Sequence, residues 1–90
     1  MGMAAAFKAN RILANAQRVV ASELLCAAQG LDFLAPLRPG RGVERLYQRV
    51  RNSGDGVALL EADRPPAPDL ERLASLIACG NLDPAPGLAC

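Results

Sequence analysis

Few side chains in this sequence are of the kind that carry chemistry, and none stands beside the neighbour that would activate it. There is no histidine, so the commonest general base and metal ligand is missing. The three cysteines, Cys26, Cys79 and Cys90, are odd in number and form no CxxC spacing. That pattern argues against a disulfide framework or a zinc site and fits a reducing cytosol. Cys79 falls at a helix carboxy terminus, the wrong end to stabilise a thiolate. Glu23 lies in an otherwise apolar helical sector, where a carboxylate can serve as general acid or base. The plainer reading is a pairing with an arginine or a cap on a neighbouring helix. Arg38, Arg41, Arg45, Arg49 and Arg51 could grip phosphates. Against this stand Glu44, Asp55 and a net charge of only +1, and no aromatics interleave for stacking on bases. A solvated or interface face is the better reading, with no nucleic-acid partner. Tyr47 has no basic neighbour in fixed geometry and reads as core. Chemistry alone therefore names no catalytic, cofactor-binding or metal residue.

The element that must position everything else is the stretch Met3 to Gln29. It contains no proline and no glycine, with alanine at about a third of its positions, and such residues carry the lowest helix cost. At 1.5 Å per residue it should form one helix roughly 40 Å long. Lys8, Arg11, Asn15, Arg18, Ser22 and Gln29 fall within an arc of about 80°. Most of the remaining circumference is apolar, from Phe7, Ile12 and Leu13 to Val19, Val20, Leu24, Leu25 and Cys26. An ordinary surface helix shows the reverse proportion, so this one expects neighbours on most sides. Gly30 is placed to stop it in the left-handed conformation.

An apolar strip, Leu31 to Leu34, leads into the connection PLRPGRG, which prolines and glycines keep non-helical. Two short helices follow, over about 43–52 and 69–79. The first turns Val43, Leu46, Tyr47 and Val50 to one face and Arg45 and Arg49 to the other. The second begins with Asp69 as N-cap, turns Leu70, Leu73, Ala74, Leu76 and Ile77 inward, and is closed by Gly80. Between them lie a loop at 52–56, a brief apolar run at 57–60 and an extended proline-rich piece. The unit thus covers 1–80, with 81–90 a disordered tail. The fold class is all-α.

Composition makes this unit too small for its apolar content. Hydrophobic residues are 51% of 90, yet aromatics are 3% and tryptophan is absent. A lone core of this size leans on aromatics, disulfides or metal. Two short helices cannot cover the long one, so its partners are expected outside the chain. Charged and amide residues interrupt the amino-terminal helix too often for a membrane span or a secretory signal. Ala6 stands where a myristoylation motif wants Ser or Thr. The absence of acids before Glu23 is shared with mitochondrial presequences, but a cytoplasmic location is the expectation.

Four ordered features carry a resemblance over nearly the whole chain. They are Met1-Gly2; the run from Glu23 to Phe33 (ELLCAAQGLDF); Pro36-Leu37-Arg38-Pro39-Gly40; and Asp63-Arg64-Pro65 followed by Pro68-Asp69-Leu70-Glu71. Together they resemble the carboxy-terminal end of the histidine and aromatic amino acid ammonia-lyases. The resemblance implies part of a large, mainly helical, oligomeric enzyme that eliminates ammonia from an amino acid to give an acrylate. That family's electrophile is a methylidene-imidazolone built from an internal Ala-Ser-Gly. No such tripeptide occurs here, because Ser22 precedes Glu23 and Ser53-Gly54 follows Asn52. The resemblance therefore assigns no catalytic, cofactor-binding or metal residue to this chain. It implies a structural role, with a homo-oligomer or the remainder of an ammonia-lyase as partner and a Glu-Asp-His-Val-Ser run expected just upstream of Met1. The reading from another class is a small helical interaction protein that self-associates through its long helix. A basic peptide lying on membranes is disfavoured, since the polar arc is narrow and not strongly cationic.

Overall fold

A computed structural model describes residues 2–52, 56–59, 62–80 and 82. Three helices and no strand occur among them: α1 (Gly2–Phe33), α2 (Arg41–Asn52) and α3 (Ala67–Ala78). The chain is all-α, as its helix-forming composition requires. Residues 53–55 of the expected loop, and all of the expected tail except Leu82, lie outside the described residues.

The long helix continues past its expected end. Gly30 is helical, and α1 runs on to Phe33. A glycine inside a helix costs only about 1 kcal/mol relative to alanine, while stopping there would withdraw Leu31 and Asp32 from contacts with α2. A Cβ built on Gly30 meets nothing within 4 Å. Gly30→Ala should therefore stabilise the chain by about 0.5–1 kcal/mol, read as a raised midpoint in urea. A lowered midpoint would restore Gly30 as a cap. The helix unwinds instead through tight turns, with Leu34 N–H donating to the Leu31 carbonyl (3.1 Å) and Leu37 N–H to that of Leu34 (2.9 Å).

The short helices each begin two residues before their expected starts. At α2, Glu44 N–H already bonds the Gly40 carbonyl at 2.8 Å, so the first turn includes Arg41 and Gly42. Glu44 near its start and Arg49 and Arg51 near its end match the helix dipole. Val50 is buried and Leu46 and Tyr47 half-buried, but Val43 stays 51% exposed. It is expected on the inner face, and it does border a small gap between α1 and α2 with Ala27, Ala28 and Leu31, but at the first turn of α2 half of it remains open to solvent. At α3, Pro68 fits the first turn, where no amide partner is lost. Asp69 is not the N-cap. Pro66 holds that position without a side-chain bond, and the Asp69 carboxylate is taken by Arg64. Gly80 closes α3 as expected, at φ +74°, the one positive φ among the described residues.

The core gathers Ala21 and Ala28 from α1, Val50 from α2, Leu73 and Leu76 from α3, with Val57 and Leu82 between and beyond them. Ala21 and Ala28 are two helical turns apart on one side of α1, and their small side chains let α3 approach closely. Val57 N–H bonds the Val50 carbonyl at 2.8 Å, which seats that side chain between the helices. All of this lies against the carboxy-terminal half of α1. Residues 2–13 are exposed throughout. Phe7 is 65%, Ile12 61% and Leu13 57% exposed. This half projects along the 54 Å long axis of the molecule with its apolar side chains uncovered. No helix among the described residues is long and apolar enough to cross a membrane.

Candidate functional site

A densely bonded polar group forms where the end of α1 meets α2. Asp32 stands on the last turn of α1, and Tyr47 and Arg51 stand one turn apart on α2. The Tyr47 hydroxyl donates to Asp32 Oδ1. Arg51 Nη2 meets Asp32 Oδ2 at 2.6 Å, and the two side chains are only 7% and 13% exposed. The guanidinium carbon lies 6.0 Å from the Tyr47 ring centroid, within reach of a cation–π attraction. Arg51 Nη1 donates to the carbonyls of Val57 (3.1 Å) and Ala58 (2.9 Å). Its Nε is buried without a partner.

A second arginine works beside the first. Arg64 Nη2 donates to the Ala58 carbonyl at 2.7 Å and Nη1 to that of Leu59 at 3.3 Å. Its Nε is held by Asp69 Oδ2 at 3.0 Å. Each guanidinium is thus fixed by one carboxylate and donates to two backbone carbonyls as well, a use that suits its planar fork.

The chemistry open to this arrangement is limited. Both oxygens of Asp32 are occupied, so it is no free base. Arginine stays charged and transfers no proton. Tyr47 has its pKa raised above the ordinary 10.0, first because its proton is held by Asp32, then by burial and by the negative charge of that carboxylate, with Arg51 opposing. The protonated tyrosine is therefore favoured by folding. Its contribution is fully present below pH 10 and is lost as pH rises through the higher folded value. Since Tyr47 is the single tyrosine, its tyrosinate absorbance should appear later in the folded chain than in urea. Stability should fall over the same alkaline interval in the native chain, and not in Tyr47→Phe. An unshifted absorbance titration would contradict the bond to Asp32.

Beside the cluster lies an open groove of about 460 Å³, lined by Leu31, Asp32, Pro36, Leu37, Tyr47 and Leu59 among others. Its polar lining is Asp32 and Tyr47, already paired with each other, together with Arg38, Glu44 and Gln48 at the rim. No group of three His, Cys, Asp or Glu side chains able to hold a metal occurs among the described residues.

The residues singled out in sequence scatter. Glu23 is exposed on α1 and does not form a buried pair; its apolar sector is uncovered on that side. Cys26 is a free, exposed thiol. Cys79 is disulfide-bonded, against the expectation of reduced thiols; an odd count still permits one pair with one thiol over. Cys90 lies outside the described residues. Arg38, Arg41, Arg45 and Arg49 are exposed, as a solvated face requires, whereas Arg51 turns inward. Tyr47, expected as core with no basic neighbour in fixed geometry, does pack against the core but has Arg51 beside it as well as Asp32. Asp32 falls within the strip that reads as apolar, Leu31 to Leu34. The available signal was that it is one of only two acids in the first 37 residues, the other being Glu23.

The sequence profile described as aromatic amino acid lyase matches residues 1–52, which takes in α1, α2 and the Asp32–Tyr47–Arg51 cluster. The histidine ammonia-lyase of Symbiobacterium thermophilum is 46% identical over 82 residues, 91% of this chain and 16% of that protein. That of Gloeobacter violaceus is 42% identical over 90 residues, 100% of this chain and 17% of the relative. That of Deinococcus radiodurans is 49% identical over 82 residues, 91% of this chain and 15% of the relative. The chain spans about a sixth of the length of these curated relatives. No solved structure matches it. With identity of this order running through all three helices and a family profile covering more than half the residues, the chain belongs to the aromatic amino acid lyase family.

Proposed function

We propose that this chain is the carboxy-terminal helical segment of a histidine ammonia-lyase and serves that enzyme as a structural part. The observation that carries this reading is the amino-terminal half of α1. It exposes Met3, Phe7, Ile12 and Leu13 on several sides of the helix, uncovered by any described residue, within the stretch that the family profile matches. Burying such apolar surface is favourable at about 25 cal/mol per Å². The remainder of the lyase polypeptide, assembled as an oligomer in the cytoplasm, is the partner that would do so.

The reaction of the whole enzyme is elimination of ammonia from histidine to give the acrylate. The methylidene-imidazolone that supplies its electrophile needs an Ala-Ser-Gly tripeptide, and this chain has none. Its residues do not fit that group, and no step of the elimination is assigned to them. What the chain contributes is shape: Asp32, Arg51, Arg64 and Asp69 hold α2 and α3 against α1, and α1 is left free to dock.

The test is co-expression with a histidine ammonia-lyase cut just before the matching Met-Gly. The expected result is a soluble oligomer containing both polypeptides, with acrylate formed from histidine, and no turnover of histidine, phenylalanine or tyrosine by the chain alone. A monomeric, cooperatively melting chain that ignores the truncated lyase would overturn this reading. Self-association without the lyase would instead leave a small helical interaction protein.

A further inference from the structure

Gly56–Leu59 belongs to no helix, and one backbone bond among the described residues ties it down, Val57 N–H to the Val50 carbonyl at 2.8 Å. The other polar ties among the described residues come from two side chains. Arg51 holds the carbonyls of Val57 and Ala58, and Arg64 holds those of Ala58 and Leu59. Three successive carbonyls thus point at two guanidinium groups, with that of Ala58 shared between them. The guanidinium groups are anchored from opposite sides, by Asp32 on α1 at 2.6 Å and by Asp69 on α3 at 2.9 Å. Beneath this row, Val57 is fully buried against the core that Val50, Leu73 and Leu76 form. Ala58 and Leu59 are exposed.

We propose that Gly56–Leu59 is a latched strap that lifts and reseats as a unit over the core while the three helices stay folded, with the shared Arg51–Ala58–Arg64 contact as its latch. Lifting it uncovers Val57 and the patch of core it packs against, and breaks bonds made mostly by side chains. Unfolding α3 would uncover Leu73, Leu76 and the whole α1 face beneath them. The first event disturbs far less apolar surface, and local openings of that kind precede global unfolding. The two halves of the latch differ. The Arg51 side chain is 7% exposed and locked beneath, whereas that of Arg64 is 33% exposed and reachable by water. Water competes first for the bonds of Arg64, so that residue sets how often the strap lifts.

Amide hydrogen exchange on the full 90-residue chain tests this. In the native chain, the Val57 amide should exchange faster than those of Leu73 and Leu76, and with a weaker dependence on added urea, since less surface opens. Arg64→Lys keeps the charge but loses the fork that bonds Asp69 and two carbonyls together. It should speed Val57 exchange about tenfold, the factor lost with a hydrogen bond to a charged donor, and leave Leu73 and Leu76 unchanged. Asp69→Asn, which loosens the same guanidinium from its other side, should act in the same direction. Val57 exchanging in step with Leu73 and Leu76 in the native chain would overturn the strap. So would a Val57 rate that neither variant moves.

Discussion

Asp32→Ala should lower stability by about 3–5 kcal/mol, the cost of leaving one member of a buried ion pair without its partner. Arg51 is 7% exposed, and without Asp32 its charge has no counterion within bonding distance among the described residues. Tyr47 would lose its acceptor as well. The contrast lies on the outside of the same fold. Arg18 meets Glu71 at 3.1 Å, but those side chains are 55% and 62% exposed, and Arg18→Ala should cost under about 1 kcal/mol. If both substitutions moved the urea midpoint equally, the Asp32–Arg51 pair would not be desolvated as its burial indicates. Asp32→Leu combined with Arg51→Met should recover part of the loss, because two apolar groups of similar volume leave no orphaned charge. Recovery would be partial, since the Val57 and Ala58 carbonyls also depend on Arg51.

The second large effect is expected at Leu73→Ala, at about 2–5 kcal/mol. Leu73 is fully buried and sits where α3 meets Ala21 and Ala28 of α1. Those alanines are too small to move into the space, and the backbone of α1 is held at this level by its own helix. The upper part of the range is therefore the better expectation. Thermal or urea unfolding of the purified chain measures it. Ile12→Ala serves as the control, because Ile12 is 61% exposed and its truncation should stay within about 0.5 kcal/mol in the isolated chain. A loss at Ile12 as large as at Leu73 would mean that α1 is already covered by a second copy.

The contrast between these positions shows which parts of the fold can be read from sequence. An unbroken run of helix formers is a local property, so α1 was legible in type, and its excess of apolar surface was legible too. Its end was not, because Gly30 is punctuation only when nothing beyond it is worth keeping helical. Here Asp32 and Leu31 contact residues of α2, and tertiary bonds outweigh a propensity of about 1 kcal/mol. The Asp32–Arg51 pair joins positions 19 apart on different helices, and no periodicity encodes it. Tyr47 reads as core with no basic neighbour in fixed geometry, although Arg51 stands four residues on, and the carboxylate that joins them comes from another helix. Asp69 fitted the pattern of an N-cap, and its actual partner, Arg64, lies just outside the helix. The membership in the lyase family rested on ordered short motifs rather than on any of these physical signals, and the similarity to its relatives bears that resemblance out.

The order in which the pieces can assemble follows from where α3 lands. Each helix is built from neighbours in sequence, and helices form in about a microsecond. Joining α3 to α1 brings together Arg18 and Glu71, which are 53 positions apart. The entropy of closing that loop is spent before Leu73 reaches Ala21 and Ala28. Docking of α3 is thus the step that closes the longest loop, and it uses the carboxy-terminal half of α1. Residues 2–13 lend nothing to that core and stay exposed, so the longest helix keeps much of its length on offer to whatever arrives next.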